Sequence, residues 1–197
     1  SGDFAGSATC SITKQLAMGK ENLTKKRPVH SYIAYFQAFT NTYAPVEYLR
    51  QIYMEAIQDP DVQILSIATR PDCLPDDVLQ LLEEINQIKP VWVELGLQTI
   101  HPQTATYIRR GYPLEVFEEA VNNLRKRNIS VITHTILGLP GENEDMMLET
   151  IDYLNKMDIQ GIKLQLLHIL KGTDLALDYE KQPFWSPTME EYISLLG

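Results

Sequence analysis

The chain has 197 residues, 44% of them hydrophobic and 22% charged, enough for one ordinary domain with a substantial core and unlike a disordered chain. A formal charge of −9 argues against a general nucleic-acid-binding surface. No apolar run approaches the ~20 residues of a membrane span and no basic-then-apolar segment opens the chain, so a cytoplasmic location without membrane contact is expected.

In chain order, Ser1-Gly2-Asp3-Phe4-Ala5-Gly6 reads as the inside of a loop, so a fragment is expected. Ser11 to Lys26 has helical composition, with Ile12, Leu16 and Leu23 loosely on one face. The run Lys25-Lys26-Arg27, with Lys20 and His30, reads either as a basic patch or as a solvated helix end. Tyr32 to Phe36 is an aromatic and branched strand. Pro45 starts a helix carrying Leu49, Ile52, Tyr53 and Ala56, closed near Asp59-Pro60. The cycle repeats with strand Ile64 to Ala68 and a helix from Pro75 that turns Leu79, Leu82, Ile85 and Ile88 inward. Strand Val91 to Leu95, a short helix through Ala105 to Arg109 and a longer one with Val116, Phe117, Ala120, Val121 and Leu124 follow. Strand Ser130 to Leu137, a helix with Met147, Ile151 and Leu154, and strand Gly161 to Ile169 complete the alternation. A last helix, with Ser186 as N-cap and Pro187 at its first position, is expected to be cut short at Gly197. Cys10 and Cys73 form neither a disulfide framework nor a spaced ligand set and read as plain thiols.

Strict alternation of strand and helix, with nearly continuous apolar strands, means parallel strands covered by helices. Polar residues stand at or just beyond five strand ends: Gln37 to Thr42, Thr69 to Asp72, Glu94 to Gln98, the stretch Val131 to Glu142, where an apolar strand runs into a polar turn that opens a helix, and His168 to Thr173. An open doubly wound sheet would concentrate its ligand at one switch point, whereas a barrel brings every C-terminal strand end to one rim. The expected fold is therefore α/β, a partial, open (β/α) TIM-like barrel of parallel strands with outer helices and a missing first strand. No internal domain boundary is visible.

Five motifs in order carry a resemblance: Tyr35-Phe36-Gln37-Ala38-Phe39-Thr40-Asn41-Thr42, Ala68-Thr69-Arg70-Pro71-Asp72-Cys73, Glu94-Leu95-Gly96-Leu97-Gln98-Thr99, Ile136-Leu137-Gly138-Leu139-Pro140-Gly141-Glu142 and Leu167-His168-Ile169-Leu170-Lys171-Gly172-Thr173. They resemble the radical S-adenosylmethionine (radical SAM) superfamily, in its YhcC/YtqA-type group, within the branch of the Elongator catalytic subunit and oxygen-independent coproporphyrinogen oxidase. The three-cysteine C-x3-C-x2-C motif of that superfamily is absent from this chain. The resemblance places it immediately before a segment like Ser1 to Gly6. Residues 1–197 are thus expected to be an incomplete radical SAM core, inactive without the upstream motif.

The resemblance implies S-adenosylmethionine on a [4Fe–4S] cluster whose ligands lie upstream of Ser1. It implies a 5′-deoxyadenosyl radical that abstracts hydrogen from a substrate, and an electron donor such as flavodoxin or ferredoxin. The substrate is not readable, although the kinship makes a transfer-RNA base one target. Gln37, Thr40 and Asn41 replace a glycine-rich turn that binds the cofactor's amino group in relatives; the plainer reading is a turn capping the next helix. Arg110 falls where relatives hold the cofactor's carboxylate, with a solvated helix-end arginine as the alternative and Arg109 as its solvent-facing neighbour. Gln98 matches a glutamine that bonds the cofactor, and Glu94 is an inward candidate for the same site or for an ion pair with Arg70. His134 stands where relatives carry an aspartate for the ribose hydroxyls, and reads otherwise as a satisfied core histidine. Ile136, Gly138 and Leu139 would form the adenine wall, with Gly138 allowing close approach. His168 would face the cofactor and Lys171, with Arg70, the substrate, or both His168 and Lys171 belong to a rim without chemistry. Ala68 replaces a glutamate. No residue is assigned a catalytic role. Two other functions fit the residues: a lyase or hydrolase working through Glu94, His134 and His168, and a cluster-free nucleoside-binding module.

Overall fold

Five parallel strands, β1 (Tyr32–Phe36), β2 (Val62–Thr69), β3 (Val91–Gln98), β4 (Ser130–Leu137) and β5 (Gly161–Leu166), pair in chain order as one sheet. Because the order never reverses, the sheet has no switch point and curls continuously into an open half-barrel. The computed structural model describes residues 10–25, 28–37 and 39–195. The loop reading of Ser1 to Gly6, Lys26 and Arg27 of the basic run, Ala38, and the end at Leu196-Gly197 lie outside the described residues.

The period of two along each strand separates two faces. In β3, Val91, Val93, Leu95 and Leu97 are fully buried beneath the helices, while Trp92, Glu94, Gly96 and Gln98 look to the concave side. Leu65 and Ile67 of β2 and Val131 of β4 continue the outer core. The crossovers α2 (Val46–Gln58), α3 (Asp76–Asn86) and α5 (Leu114–Arg125) cover it with Leu49 and Tyr53, Leu79, Leu82 and Ile85, and Phe117 and Leu124. α6 (Glu144–Leu154) adds Leu154, and α1 (Ile12–Thr24), capped by the Ser11 hydroxyl, lays Ile12 and Leu16 on the same core. No described helix is long and apolar enough to cross a membrane.

Several boundaries differ from the sequence reading. Ile88 falls beyond the end of α3 and is exposed. The short helix α4 is Pro102–Tyr107, set by Pro102 in its first turn and ended before Arg109, whose φ is +56°. β2 and β3 run longer than their apolar runs, and β5 stops at Leu166 rather than Ile169. Beyond it α7 (Asp174–Lys181), capped by the Thr173 hydroxyl, was not expected because it buries no residue and so leaves no apolar stripe to read. α8 (Met189–Leu195) begins on Thr188, not Ser186. Thr188 and Glu191 exchange side-chain to backbone bonds as a capping box.

Candidate functional site

The concave face holds a cavity of about 770 Å³, within the ordinary range for a small-molecule pocket. Each strand supplies one polar side chain to a single layer beneath it: Tyr35, Ser66, Glu94, His134 and Lys163, four of which converge on Glu94. These positions are not all level in the ladder. Tyr35 pairs with Ser66 and His134 with Lys163, but Glu94 lies opposite Ala68 and Ile132. Tilted strands put residues of staggered register at one height, which is how the five meet.

Glu94 is buried, and its carboxylate accepts from Ser66 Oγ at 2.6 Å, Tyr35 Oη at 3.0 Å, His134 Nε2 at 2.5 Å and Lys163 Nζ at 2.8 Å. Burial alone would raise its pKa, but the bonds from His134, Lys163 and Ser66 outweigh it and hold the carboxyl at about 2. Burial raises the Tyr35 phenol above its ordinary value, and Glu94 adds to the rise, so Tyr35 stays neutral. The expected Glu94–Arg70 pair does not form. Arg70 takes Asp72 in a two-point pair, at 2.9 and 2.7 Å, and donates to the Arg110 carbonyl. Lys163 is the cation that the sequence reading missed.

At the rim the backbone of β3 is irregular, with a register shift between Gly96 and Gln98 and a φ of +69° at Gln98. This bulge turns the Gln98 side chain back over Gly96, where an added Cβ would stand 2.9 Å from Gln98 Nε2. Gln98 Oε1 is buried with no hydrogen-bond partner among the described residues, although the side chain lines the cavity. Such an orphan acceptor is costly to maintain.

Arg110 is buried, not a solvated helix-end residue. Its Nη1 donates to the carbonyls of Leu97 at 3.2 Å and Thr99 at 2.6 Å, and its Nε to Tyr112 at 3.1 Å. Arg70 and Arg110 both lie against the Tyr112 ring, 5.2 and 5.0 Å from its centroid, and Tyr112 Oη donates to the Gly96 carbonyl. Burial pushes the Tyr112 phenol up to about 12. Arg110 therefore clamps the end of β3 while lining the cavity, and its Nη2 makes no hydrogen bond among the described residues.

Of the residues expected at the site, Gln37, Arg70, Glu94, Gln98, Arg110, His134, Ile136 and Leu139 line the cavity. Five others do not. Asn41 spends its amide on the carbonyls of Phe36, Phe39 and Ala68, and Thr40 accepts from the Tyr43 amide, so both build the turn rather than the wall. At Gly138, with φ +81°, an added Cβ would strike Pro187 at 2.3 Å, so the close approach there is made by the chain's own C-terminal loop. His168 and Lys171 lie past the end of β5, exposed and off the cavity wall. The opposite side of the mouth is formed by α7, held to the end of α4 by Tyr107–Asp178 at 3.3 Å and to the turn after it by Arg109–Asp174 at 2.6 Å.

A half-barrel of parallel strands with a polar layer and a cavity at the C-terminal strand ends has the architecture of an α/β barrel. The profile of the Radical SAM superfamily matches residues 14–154, and the chain belongs to that superfamily. It is 48% identical over 196 residues to YtqA of Bacillus subtilis, covering all of this chain and 61% of that one. It is 39% identical over 188 residues to YhcC of Escherichia coli K12, covering 95% and 60%. The chain thus spans about three fifths of the length of these relatives. The archaeal Elp3 of Methanocaldococcus infernus, solved with an N-terminal deletion, superposes with a TM-score of 0.80 at 19% identity, over 94% of this chain and 49% of that one, a likeness of fold.

Proposed function

We propose that the concave face binds S-adenosylmethionine and that the full-length protein is a radical SAM enzyme. The observation that carries this reading is that Gln98, whose buried Oε1 has no partner among the described residues, and Arg110 line the same cavity. An acceptor suits the cofactor's ammonium or adenine amino group, and a guanidinium edge suits its carboxylate. Ile136 and Leu139 supply an apolar wall for the adenine, and Gln37 a polar one opposite. Bound at a [4Fe–4S] cluster, S-adenosylmethionine supplies a 5′-deoxyadenosyl radical that takes a hydrogen atom from substrate.

No group of three His, Cys, Asp or Glu among the described residues stands ready for a metal ion, and Cys10 and Cys73 are free and half-buried. The described residues therefore do not fit the cluster, and we assign its ligands to the remainder of the full-length protein. An electron donor such as flavodoxin or ferredoxin, a transfer-RNA base as substrate and a cytoplasmic location belong to the same proposal. The acid–base alternative loses one of its three groups, since His168 stands off the cavity that Glu94 and His134 share.

Calorimetry of S-adenosylmethionine on the full-length protein, after anaerobic reconstitution with iron and sulfide, tests the reading. Micromolar binding with a [4Fe–4S] signal in electron paramagnetic resonance after reduction is the expected result. A reconstituted protein with neither cluster signal nor binding would overturn it.

A further inference from the structure

Glu94 is the centre of the polar layer, and its environment determines where one proton sits. With its carboxyl held at about 2, it has no proton to share at neutral pH, so the hydrogen in its 2.5 Å contact with His134 belongs to Nε2. A neutral imidazole protonated on Nε2 carries its lone pair on Nδ1. His134 Nδ1 makes no hydrogen bond among the described residues, and the ring lines the cavity. The carboxylate is itself fixed by Ser66 on one oxygen and by Tyr35 and Lys163 on the other, so it cannot turn away from the imidazole without breaking three further contacts.

We propose that Glu94 is a positioning residue that sets His134 as a hydrogen-bond acceptor, with Nδ1 offered to a hydroxyl or N–H donor of the molecule in the cavity. The occupant rests on the reading above, whereas the tautomer is a property of the ligand-free protein. The arrangement is selective. A carbonyl or ether oxygen placed against Nδ1 would meet a lone pair, so the cavity discriminates by rejecting acceptors at this point as well as by holding donors.

Glu94→Gln and Glu94→Ala separate positioning from mere packing. The glutamine amide oxygen still accepts from Nε2–H, whereas alanine leaves the imidazole without its partner. In ¹⁵N-histidine spectra, with His134→Gln as the assignment blank, wild type and Glu94→Gln are expected to show a downfield, slowly exchanging Nε2–H and an unprotonated Nδ1. Glu94→Ala is expected to lose that resonance and to bind S-adenosylmethionine about tenfold more weakly, with Glu94→Gln within about threefold of wild type. Saturating wild type with S-adenosylmethionine should shift the Nδ1 resonance. A wild-type Nδ1–H tautomer, or saturation that leaves Nδ1 unmoved, overturns the proposal. Should Glu94→Ala fail to fold, those two wild-type measurements decide. Absence of binding to wild type overturns the assigned occupant, and the tautomer result then judges the role of Glu94 alone.

Discussion

Lys163 and Tyr35 stand on β5 and β1, the two edges of the sheet and 128 residues apart in the chain, yet Lys163 Nζ lies 3.2 Å from Tyr35 Oη and 4.5 Å from the centre of its ring. Edge strands of a flat five-stranded sheet are separated by four strand spacings, far beyond the reach of two side chains. The contact exists only because the sheet curls, and together with Glu94 it braces that curl across the open side of the half-barrel.

Lys163→Met should test the brace. It keeps most of the aliphatic stem but removes the ammonium from both Glu94 and Tyr35. The lysine is half-exposed, so water already screens part of the interaction. The expected loss is about 1–2 kcal/mol in urea unfolding, the value of a charge-assisted bond discounted for exposure. An unchanged midpoint would show that the layer does not brace the fold.

Acid should weaken the protein through the same layer. Glu94 titrates at about 2 folded against an ordinary 4.5, so between these values the unfolded chain binds more protons than the native state. The stability that Glu94 contributes is fully present above about 4.5 and is lost as pH falls toward about 2. Asp59, lowered by Lys20, and Asp72, lowered by Arg70, act in the same sense. Urea midpoints measured from pH 6 to pH 2 should fall for wild type and fall less steeply for Glu94→Gln.

The architecture was legible because it is written in local periods. Apolar runs alternate with helical stripes, and Pro45 and Pro75 mark helix starts. Gln37, Gln98 and His134 were placed at the rim by their position at or just beyond apolar runs, and Arg110 by the family resemblance. The polar layer was not legible, because Lys163 in Gly-Ile-Lys-Leu-Gln-Leu reads as any exposed strand lysine, and its carboxylate partner is 69 residues away. Register also misled the choice of a partner for Glu94: Ala68 lies opposite it, and Arg70, two residues on, clears the layer and meets Asp72. His168 failed for a similar reason. β5 ends two residues earlier, and parity along it gives the concave face to Lys163 and Gln165, not to His168.

Arg110→Ala should cost more stability than a contact reserved for a ligand would. Its removal strands the carbonyls of Thr99 and Tyr112 and leaves that of Leu97 with the Thr99 amide alone, and the guanidinium itself is buried against the Tyr112 ring. A loss of about 2–4 kcal/mol is expected from uncapped buried acceptors. Arg110→Lys should recover only part of it, because one ammonium cannot span three carbonyls arranged around a planar fork. Urea unfolding of the two variants decides, and a fully stable Arg110→Ala would mean that the clamp is dispensable.

Gln98 should show stability and binding moving in opposite directions. Its φ of +69° is a conformation in which a side chain costs roughly 1 kcal/mol and glycine costs little. Its Oε1 adds the penalty of a buried acceptor with no partner among the described residues. Neither expense helps the ligand-free fold, and the bulge before it leaves room for glycine to adopt the same backbone. Gln98→Gly should therefore raise stability by about 1 kcal/mol, less whatever freedom the glycine returns to the unfolded chain. Removing the same amide takes away a polar group of a side chain that lines the cavity, so the affinity for S-adenosylmethionine should fall about three- to tenfold, the worth of one neutral hydrogen bond. Gln98→Ala, which loses the amide but keeps the strained backbone, should match the binding loss without the full gain in stability. Thermal unfolding and calorimetry on the three proteins decide the matter. A Gln98→Gly protein that is less stable and binds as well as wild type would show that the strained glutamine serves the fold and not the cavity.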